Sequence, residues 1–274
     1  MQPLRILRRR VEAGPALDTA VCRALLDAVA RDEAGDSLRI WRPDEALAFS
    51  GTDRQRAGFE RAVERARAAG FTPFLRLAGG HAAVYSAGTV AFAWTQRVDD
   101  MRSGIDARFE DLAGRVAAAL RQLGVDARVG AVPGEYCSGD YSVNASGRVK
   151  LMGVGQRLIR GAAHLGGVIV AEGGDAIRGV LSEAYEALEL EFEPATVGCV
   201  ADEQPGVGWR DVASALLDQF QADHDLIECD FDSDLLARAA TIAPRHCIDG
   251  PRYADATSME SDAKFVAEHG PPRH

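Results

Sequence analysis

Apolar residues recur at helical spacing in four stretches of the chain. Leu17, Val21, Leu25 and Val29 share one face of a helix predicted over residues 16–31. Phe109, Leu112, Val116, Leu120 and Leu123 do the same over 105–123, where Gly124 supplies the stop. Leu181, Tyr185 and Leu188 line a helix over Asp175–Leu188, and Trp209, Val212, Leu216 and Phe220 line one over Gly208–Asp223. A fifth, more charged helix is expected over 53–70, closed by Gly70. Between these lie short runs of strand character. They fall at Leu38–Trp41, Ala46–Phe49, Phe74–Leu77, Ala82–Tyr85, Val90–Trp94, Ala127–Val129, Tyr141–Asn144, Arg148–Val154 and Gly167–Val170.

Short strands joined partly by tight turns and partly by helices predict an α+β fold, with a mixed or largely antiparallel sheet flanked by helices. The main unit is expected over 1–198, with 199–243 as a helical extension of the same domain. From about Pro244 to residue 274 the chain is polar, rich in Asp, Ser, Pro and Arg, and without periodicity, which predicts a mobile or surface arm.

Charge narrows the function. The 274 residues carry a net charge of −10 with both signs interspersed, which disfavours a nucleic-acid surface. No apolar run is long enough for a signal peptide or a membrane span. The five cysteines form no Cys-x-x-Cys pair and no zinc-like spacing, so a reducing cytoplasm is the expected compartment and no metal site is expected. Arginine accounts for all but two of the 31 basic residues, and the exceptions are Lys150 and Lys264. Lys264 lies in the polar tail. Lys150 sits in Gly147-Arg-Val-Lys-Leu-Met-Gly153, between glycines and beside apolar residues. A strand lysine facing water explains it, and so does a compact ammonium reaching into a pocket, which a planar guanidinium cannot replace.

Several other groups in the same part of the chain have two readings. The Gly79-Gly80 pair suits a hairpin turn, or a backbone that approaches a ligand closely with Arg76 beside it. His81 either caps that turn or acts as a base. His164 reads as a strand histidine satisfied by a carbonyl, and Asp140 as opening a strand by a local hydrogen bond. Cys137 is an inert core thiol, or a nucleophile whose pKa is lowered by a nearby cation. A turn at Ala145-Ser-Gly147 would bring it opposite Lys150.

Leu75-Arg-Leu-Ala-Gly-Gly-His-Ala-Ala-Val-Tyr-Ser-Ala-Gly88 and Gly139-Asp-Tyr-Ser-Val…Gly147-Arg-Val-Lys-Leu-Met-Gly-Val-Gly-Gln-Arg157 resemble the two signature blocks of the lipoate–protein ligase and lipoyl (octanoyl) transferase superfamily. Leu38-Arg-Ile-Trp-Arg-Pro-Asp-Glu-Ala-Leu-Ala-Phe-Ser-Gly51 is similar to its entry strands. The resemblance runs over roughly residues 15–225. It implies the biotin/lipoate ligase catalytic-domain fold. Tyr136-Cys-Ser-Gly-Asp-Tyr141 is most like the branch that moves octanoyl groups between lipoyl-accepting proteins through a cysteine thioester.

That resemblance implies an acyltransferase that places an octanoyl or lipoyl group on the lysine of lipoyl-domain proteins through a thioester on Cys137, with Lys150 stabilising the thiolate or polarising the acyl carbonyl. Arg76, Gly79, Gly80, His81, Asp140 and Gly153 would bind the acyl substrate, and His164 would lie near the site. Its partners would be lipoyl-domain proteins, namely the glycine-cleavage H protein and 2-oxoacid dehydrogenase E2 subunits, and it would need no cofactor. The alternative within the superfamily is an ATP-dependent ligase that forms a lipoyl-adenylate with Mg²⁺. Ala78 and Gly139 stand where such ligases carry Ser/Thr and Asn, which counts against it. A non-catalytic binder of lipoylated proteins is the alternative of another class, and the presence of both Cys137 and Lys150 argues against it.

Overall fold

The computed structural model describes residues 1–101 and 103–250. The strands are β1 (Gln2–Leu7), β2 (Ser37–Trp41), β3 (Ala46–Phe49), β4 (Thr72–Leu75), β5 (Ala83–Tyr85), β6 (Thr89–Arg97), β7 (Ala127–Val129), β8 (Val143–Ala145), β9 (Val149–Ile159), β10 (Ala162–Val170) and β11 (His224–Glu228). The helices are α1 (Pro15–Ala30), α2 (Phe59–Ala68), α3 (Ile105–Gln122), α4 (Gly174–Ala187), α5 (Val200–Glu203), α6 (Trp209–Gln221) and α7 (Ser233–Ile242).

Eight strands form one mixed sheet in the order β11-β1-β2-β6-β10-β9-β8-β7. In it β1 runs parallel to β11 and β2, and the remaining pairs are antiparallel. A smaller sheet, β4-β3-β5, lies beside it. This is the α+β architecture expected from the alternation of short strands and amphipathic helices.

Strand alternation explains the layering. On β2, Leu38 and Ile40 enter the core that α3 and α6 cover with Leu112, Val116, Leu216 and Phe220. Arg39 and Trp41 point the other way, toward α1. The small sheet buries Leu47 and Phe49 against Phe59 and Val63 of α2 and Leu181 and Tyr185 of α4. Each fully buried side chain of this size contributes roughly 1.5–3 kcal/mol by leaving water.

Four expectations need correction. Helix 53–70 is a 3-10 turn at Asp53–Gln55 followed by the shorter α2. There Ser50 and Asp53 exchange side-chain-to-backbone hydrogen bonds of 2.9 and 3.0 Å, which hold a turn in place of a helical start. β1 and β11 are strands that the sequence pattern does not announce: β1 offers only Leu4 and Ile6 as alternating core positions and β11 only the half-buried Leu226, and parallel pairing with each other makes both part of the sheet. Segment 199–243 therefore contributes a strand as well as helices. Finally, the polar arm does not begin at Pro244. His246 and Ile248 are buried, and the His246 Nδ1–H donates to the Leu75 carbonyl at 2.8 Å. The rest of that arm, with Lys264, lies outside the described residues.

Candidate active site

Residues 130–142 form a loop between β7 and β8, closed at its neck by the Gly130 N–H donating to the Ser142 carbonyl at 2.8 Å. Glu135 organises its interior. Its carboxylate is buried and accepts from Val132 N–H (2.9 Å), Gly139 N–H (3.3 Å) and Ser142 Oγ (2.5 Å). Lys150 on β9 reaches into the same loop. The β8–β9 hairpin, turning through Ser146 and Gly147 at positive φ, places Lys150 opposite Asn144. Its ammonium is 1% exposed and donates to Glu135 Oε1 (2.9 Å), the Tyr136 carbonyl (3.0 Å) and the Cys137 carbonyl (2.8 Å).

Those three bonds use every N–H of the ammonium. Lys150 therefore grips the backbone of Cys137 and does not touch the thiol. The hairpin does bring the two residues together as expected, but it sets Lys150 against the carbonyl of Cys137, which lies in the loop and not on the strand opposite.

The thiol has other direct partners. Arg76 Nη2 donates to Cys137 Sγ at 3.4 Å and the backbone N–H of His81 donates to it at 3.2 Å. Burial opposes ionisation of this thiol. The charges of Arg76 and then Lys150, with the His81 N–H, outweigh it and hold the Cys137 pKa below the ordinary thiol value. Gly80, at φ +96°, explains the tight fit. A Cβ there would lie 2.8 Å from the sulfur and collide with the Arg76 guanidinium.

Cys137 itself adopts φ +42°, a left-handed conformation that costs a non-glycine residue about 1–3 kcal/mol unless the surroundings hold it. Tyr185 of α4 supplies part of that hold. Its hydroxyl accepts the Cys137 N–H at 2.8 Å and donates to the Ala82 carbonyl at 3.1 Å, tying the cysteine loop to the Gly-Gly loop. The imidazole of His81, one third exposed, donates from Nδ1 to the fully buried Asp53 at 2.8 Å.

Sγ faces a cavity of about 320 Å³ lined by Trp41, Leu77, Tyr85, Phe92, Val154 and Val168, among others. Gly153 and Gly155 on β9 keep it open beside the loops, since a Cβ on Gly155 would lie 2.8 Å from Ala78 Cβ. Such a largely apolar pocket with a few convergent polar groups suits an extended acyl chain. His164 lines the cavity, and burial, with Arg39 adding to it, lowers its pKa to about 4. Among the carboxylates of the lining, Asp18 is paired with Arg39 and Asp44 with Arg10. Asp140 is exposed and has no ion pair among the described residues. No group of three or more His, Cys, Asp or Glu side chains among the described residues is placed to hold a metal.

Arg76, Gly79, Gly80, Cys137, Asp140, Lys150 and Gly153 thus meet around one cavity, with His81 adjoining through its backbone. Sequence reasoning missed Glu135, Asp53 and Tyr185. Asp53 had a readable signal, since Ser50-Gly-Thr-Asp53 has the Ser-x-x-Asp spacing of a reciprocal cap. Glu135 had only its place beside Tyr136-Cys137. Tyr185 showed as an apolar helix position, and nothing in the chain announced its hydroxyl's partners.

Comparison with known proteins follows the same outline. An octanoyl-[GcvH]:protein N-octanoyltransferase of Geobacillus kaustophilus is 25% identical over 184 residues, 66% of this chain and 65% of that protein. A protein of the same name from Exiguobacterium sibiricum is 27% identical over 180 residues, 65% of this chain and 62% of that one. The chain thus spans less than two thirds of the length of these relatives. A lipoate-protein ligase A bound with ATP superimposes with TM-score 0.72 at 21% identity, covering 89% of this chain and 94% of that one. A bi-partite lipoate protein ligase from Thermoplasma acidophilum gives 0.70 at 21% identity, covering 89% and 92%. At such identity these structures establish the fold. The model of the lipoyl protein ligase A/B catalytic domain matches residues 15–221, well over half of the sequence, and the chain belongs to that family.

Proposed function

We propose that the protein transfers an octanoyl group from a carrier protein to a lysine of a lipoyl-domain acceptor, through a thioester on Cys137. The observation that carries this reading is the Cys137 thiol, its pKa held low between Arg76 and the His81 N–H where it faces an acyl-sized cavity. The names of the two transferase relatives support it, and they point to the glycine-cleavage H protein as one carrier and to octanoyl as the acyl group. Lipoyl domains of 2-oxoacid dehydrogenase E2 subunits suit the acceptor role.

The thiolate attacks the carbonyl carbon of the donor's octanoyl amide, a C–S bond forms, and the C–N bond breaks. The acceptor lysine then attacks the thioester, and the thiolate leaves. Arg76 stabilises the thiolate in both steps. Its Nε–H, buried without a hydrogen-bond partner among the described residues, is available to the oxyanion that develops on the acyl oxygen. Lys150 keeps the cysteine backbone in its left-handed turn and adds positive potential at the sulfur. The thioester preserves acyl activation, so the reaction needs no ATP. An adenylating ligase would place Lys150 on phosphate oxygens, but its N–H groups are committed to Glu135 and two carbonyls.

The test mixes the protein with an octanoylated carrier and an apo lipoyl domain, with and without ATP, and follows acceptor mass. Octanoyl transfer without ATP is expected, with a hydroxylamine-labile adduct one octanoyl group heavier on the enzyme. Cys137→Ala should abolish the adduct and slow transfer by on the order of 10⁴-fold or more. Strict dependence on ATP with a fully active Cys137→Ala would replace this reading by the ligase, and absence of any turnover would leave a binder.

A further inference from the structure

The thioester reading, on which this inference rests, needs a proton that its nucleophile does not supply. An amide cannot expel its nitrogen as an anion near neutral pH, so the leaving lysine nitrogen of the donor must receive a proton as the C–N bond breaks. Cys137 attacks as a thiolate, so it has no proton of its own to give. In the second half the same proton balance reverses, because the acceptor amine must lose one as it becomes an amide.

Most polar groups around the sulfur are unavailable for this. Lys150 and Glu135 are bound to each other and to the loop backbone, and both are buried. Tyr185 is bound on both sides by Cys137 N–H and the Ala82 carbonyl, and burial raises its pKa well above the ordinary phenol value. His164 is held neutral within the cavity lining. Arg76 does not exchange its proton at such pH. Asp140 has no hydrogen bond to Cys137 or its partners among the described residues.

His81 is different. Its backbone N–H is 3.2 Å from Sγ, and its imidazole is oriented by a carboxylate that has no exposure of its own. Asp53 uses Oδ2 to accept the Ser50 N–H at 2.9 Å and Oδ1 to hold His81 Nδ1 at 2.8 Å. With Nδ1–H committed to Asp53, the exchangeable position is Nε2, on a ring that keeps about a third of its surface open. Acyl transfer repeatedly uses a base oriented by a buried carboxylate, and here that imidazole is carried on the residue whose backbone N–H touches the nucleophile.

We propose that His81, aligned by Asp53, carries the proton between the two halves of the reaction. As imidazolium it protonates the donor lysine nitrogen while Cys137 thiolate bonds to the acyl carbon. The products are the thioester, a free amine and neutral imidazole. The neutral imidazole then accepts the proton of the acceptor lysine as the amide forms and the thiolate departs, which restores the starting state with no external acid or base.

Two acyl donors separate this role from a structural one. Octanoylated H protein must have its leaving nitrogen protonated, whereas p-nitrophenyl octanoate releases a stable phenolate and needs no acid. Acyl-enzyme formation from each is followed for wild type, His81→Gln, which keeps a donor toward Asp53, and His81→Ala. In both variants the amide rate should fall about 100-fold or more, and the ester rate should change by less than about threefold. Equal slowing with both donors would overturn the proposal and reduce His81 to ordering the loop. An unchanged amide rate would overturn it by requiring another proton source. Wild-type protein that forms no hydroxylamine-labile adduct with either donor would instead overturn the thioester reading beneath it. The ester reaction also reports that each variant remains folded.

Discussion

Two cysteines line the same cavity, and each has an arginine beside it, yet their thiols are shifted in opposite directions. Cys22 lies against Arg39 at 3.6 Å and Cys137 against Arg76 at 3.4 Å. For Cys22, burial dominates and raises the pKa; Arg39 pulls it down only partly, and Asp18 pushes it up again. Arg39 is already paired with Asp18 and stacked over Trp41 with its carbon 4.1 Å from the ring centre. Its charge ties α1 to the sheet. Arg76 has no carboxylate partner among the described residues, and a second cation, Lys150, adds to its field. Where the cation's carboxylate partner also faces the thiol, as Asp18 faces Cys22, it offsets the cation's pull, so proximity of an arginine alone does not activate a thiol.

Among changes to the charges around the two thiols, removing the second cation gives the largest expected effect. Lys150→Ala leaves Glu135 buried without its partner and should cost about 3–5 kcal/mol in urea unfolding. Lys150→Arg keeps the charge, but a planar fork cannot place donors on one carboxylate and two successive carbonyls. Both variants should lower octanoyl transfer by about 10³-fold, since the cysteine backbone loses its anchor. Near-wild-type transfer by Lys150→Arg would show that the grip on the Tyr136 and Cys137 carbonyls is dispensable.

Arg76→Gln tests the direct contact. The Cys137 pKa is depressed, so the thiolate is populated above that lowered value and lost as pH falls through it. Deleting the guanidinium lets burial prevail and moves the midpoint upward, toward or past the ordinary thiol value of about 8.5. At neutral pH the alkylation rate with iodoacetamide should fall by about tenfold or more, and the pH profile should shift to the alkaline side. An unshifted profile would leave Lys150 as the source of the low pKa.

Asp18→Asn gives the smallest change and attacks the comparison from the other side. It removes the carboxylate that neutralises Arg39, so the pKa of Cys22 should move down from its raised position. Peptide mapping after brief alkylation should then detect Cys22 labelling above the wild-type level, still about tenfold or more below that of Cys137, because burial remains the larger influence on Cys22. Labelling of Cys22 no faster than in wild type would mean that burial alone keeps it inert.

Much of the site was legible along the chain, and unevenly so. The Gly-Gly pair, the cysteine and the lone body lysine stood out by composition and spacing, and the hairpin turn at Ser146-Gly147 correctly set Lys150 near Cys137. The roles changed on folding. Lys150 looked like the partner of the thiol and turned out to hold its carbonyl, while Arg76 lies 61 positions before Cys137 and makes the contact itself. The helix expected from residue 53 hid the Asp53 turn, because a carboxylate that caps a backbone and a carboxylate on a solvated helix look alike in sequence.

The sequence by itself determined the elements with strong periodicity, α1, α3, α4 and α6, and the α+β class, because apolar spacing is a local property that burial of one face enforces. It also determined which residue types were on hand for chemistry. Only the tertiary structure decided which charges remain free. That depends on partners distant in the chain: Asp18 for Arg39, Glu135 for Lys150, Asp53 for His81, and no carboxylate for Arg76 among the described residues. Electrostatic fields inside a protein act through space at short range and low dielectric, so the acidity of a thiol follows the packing of loops and not the order of residues.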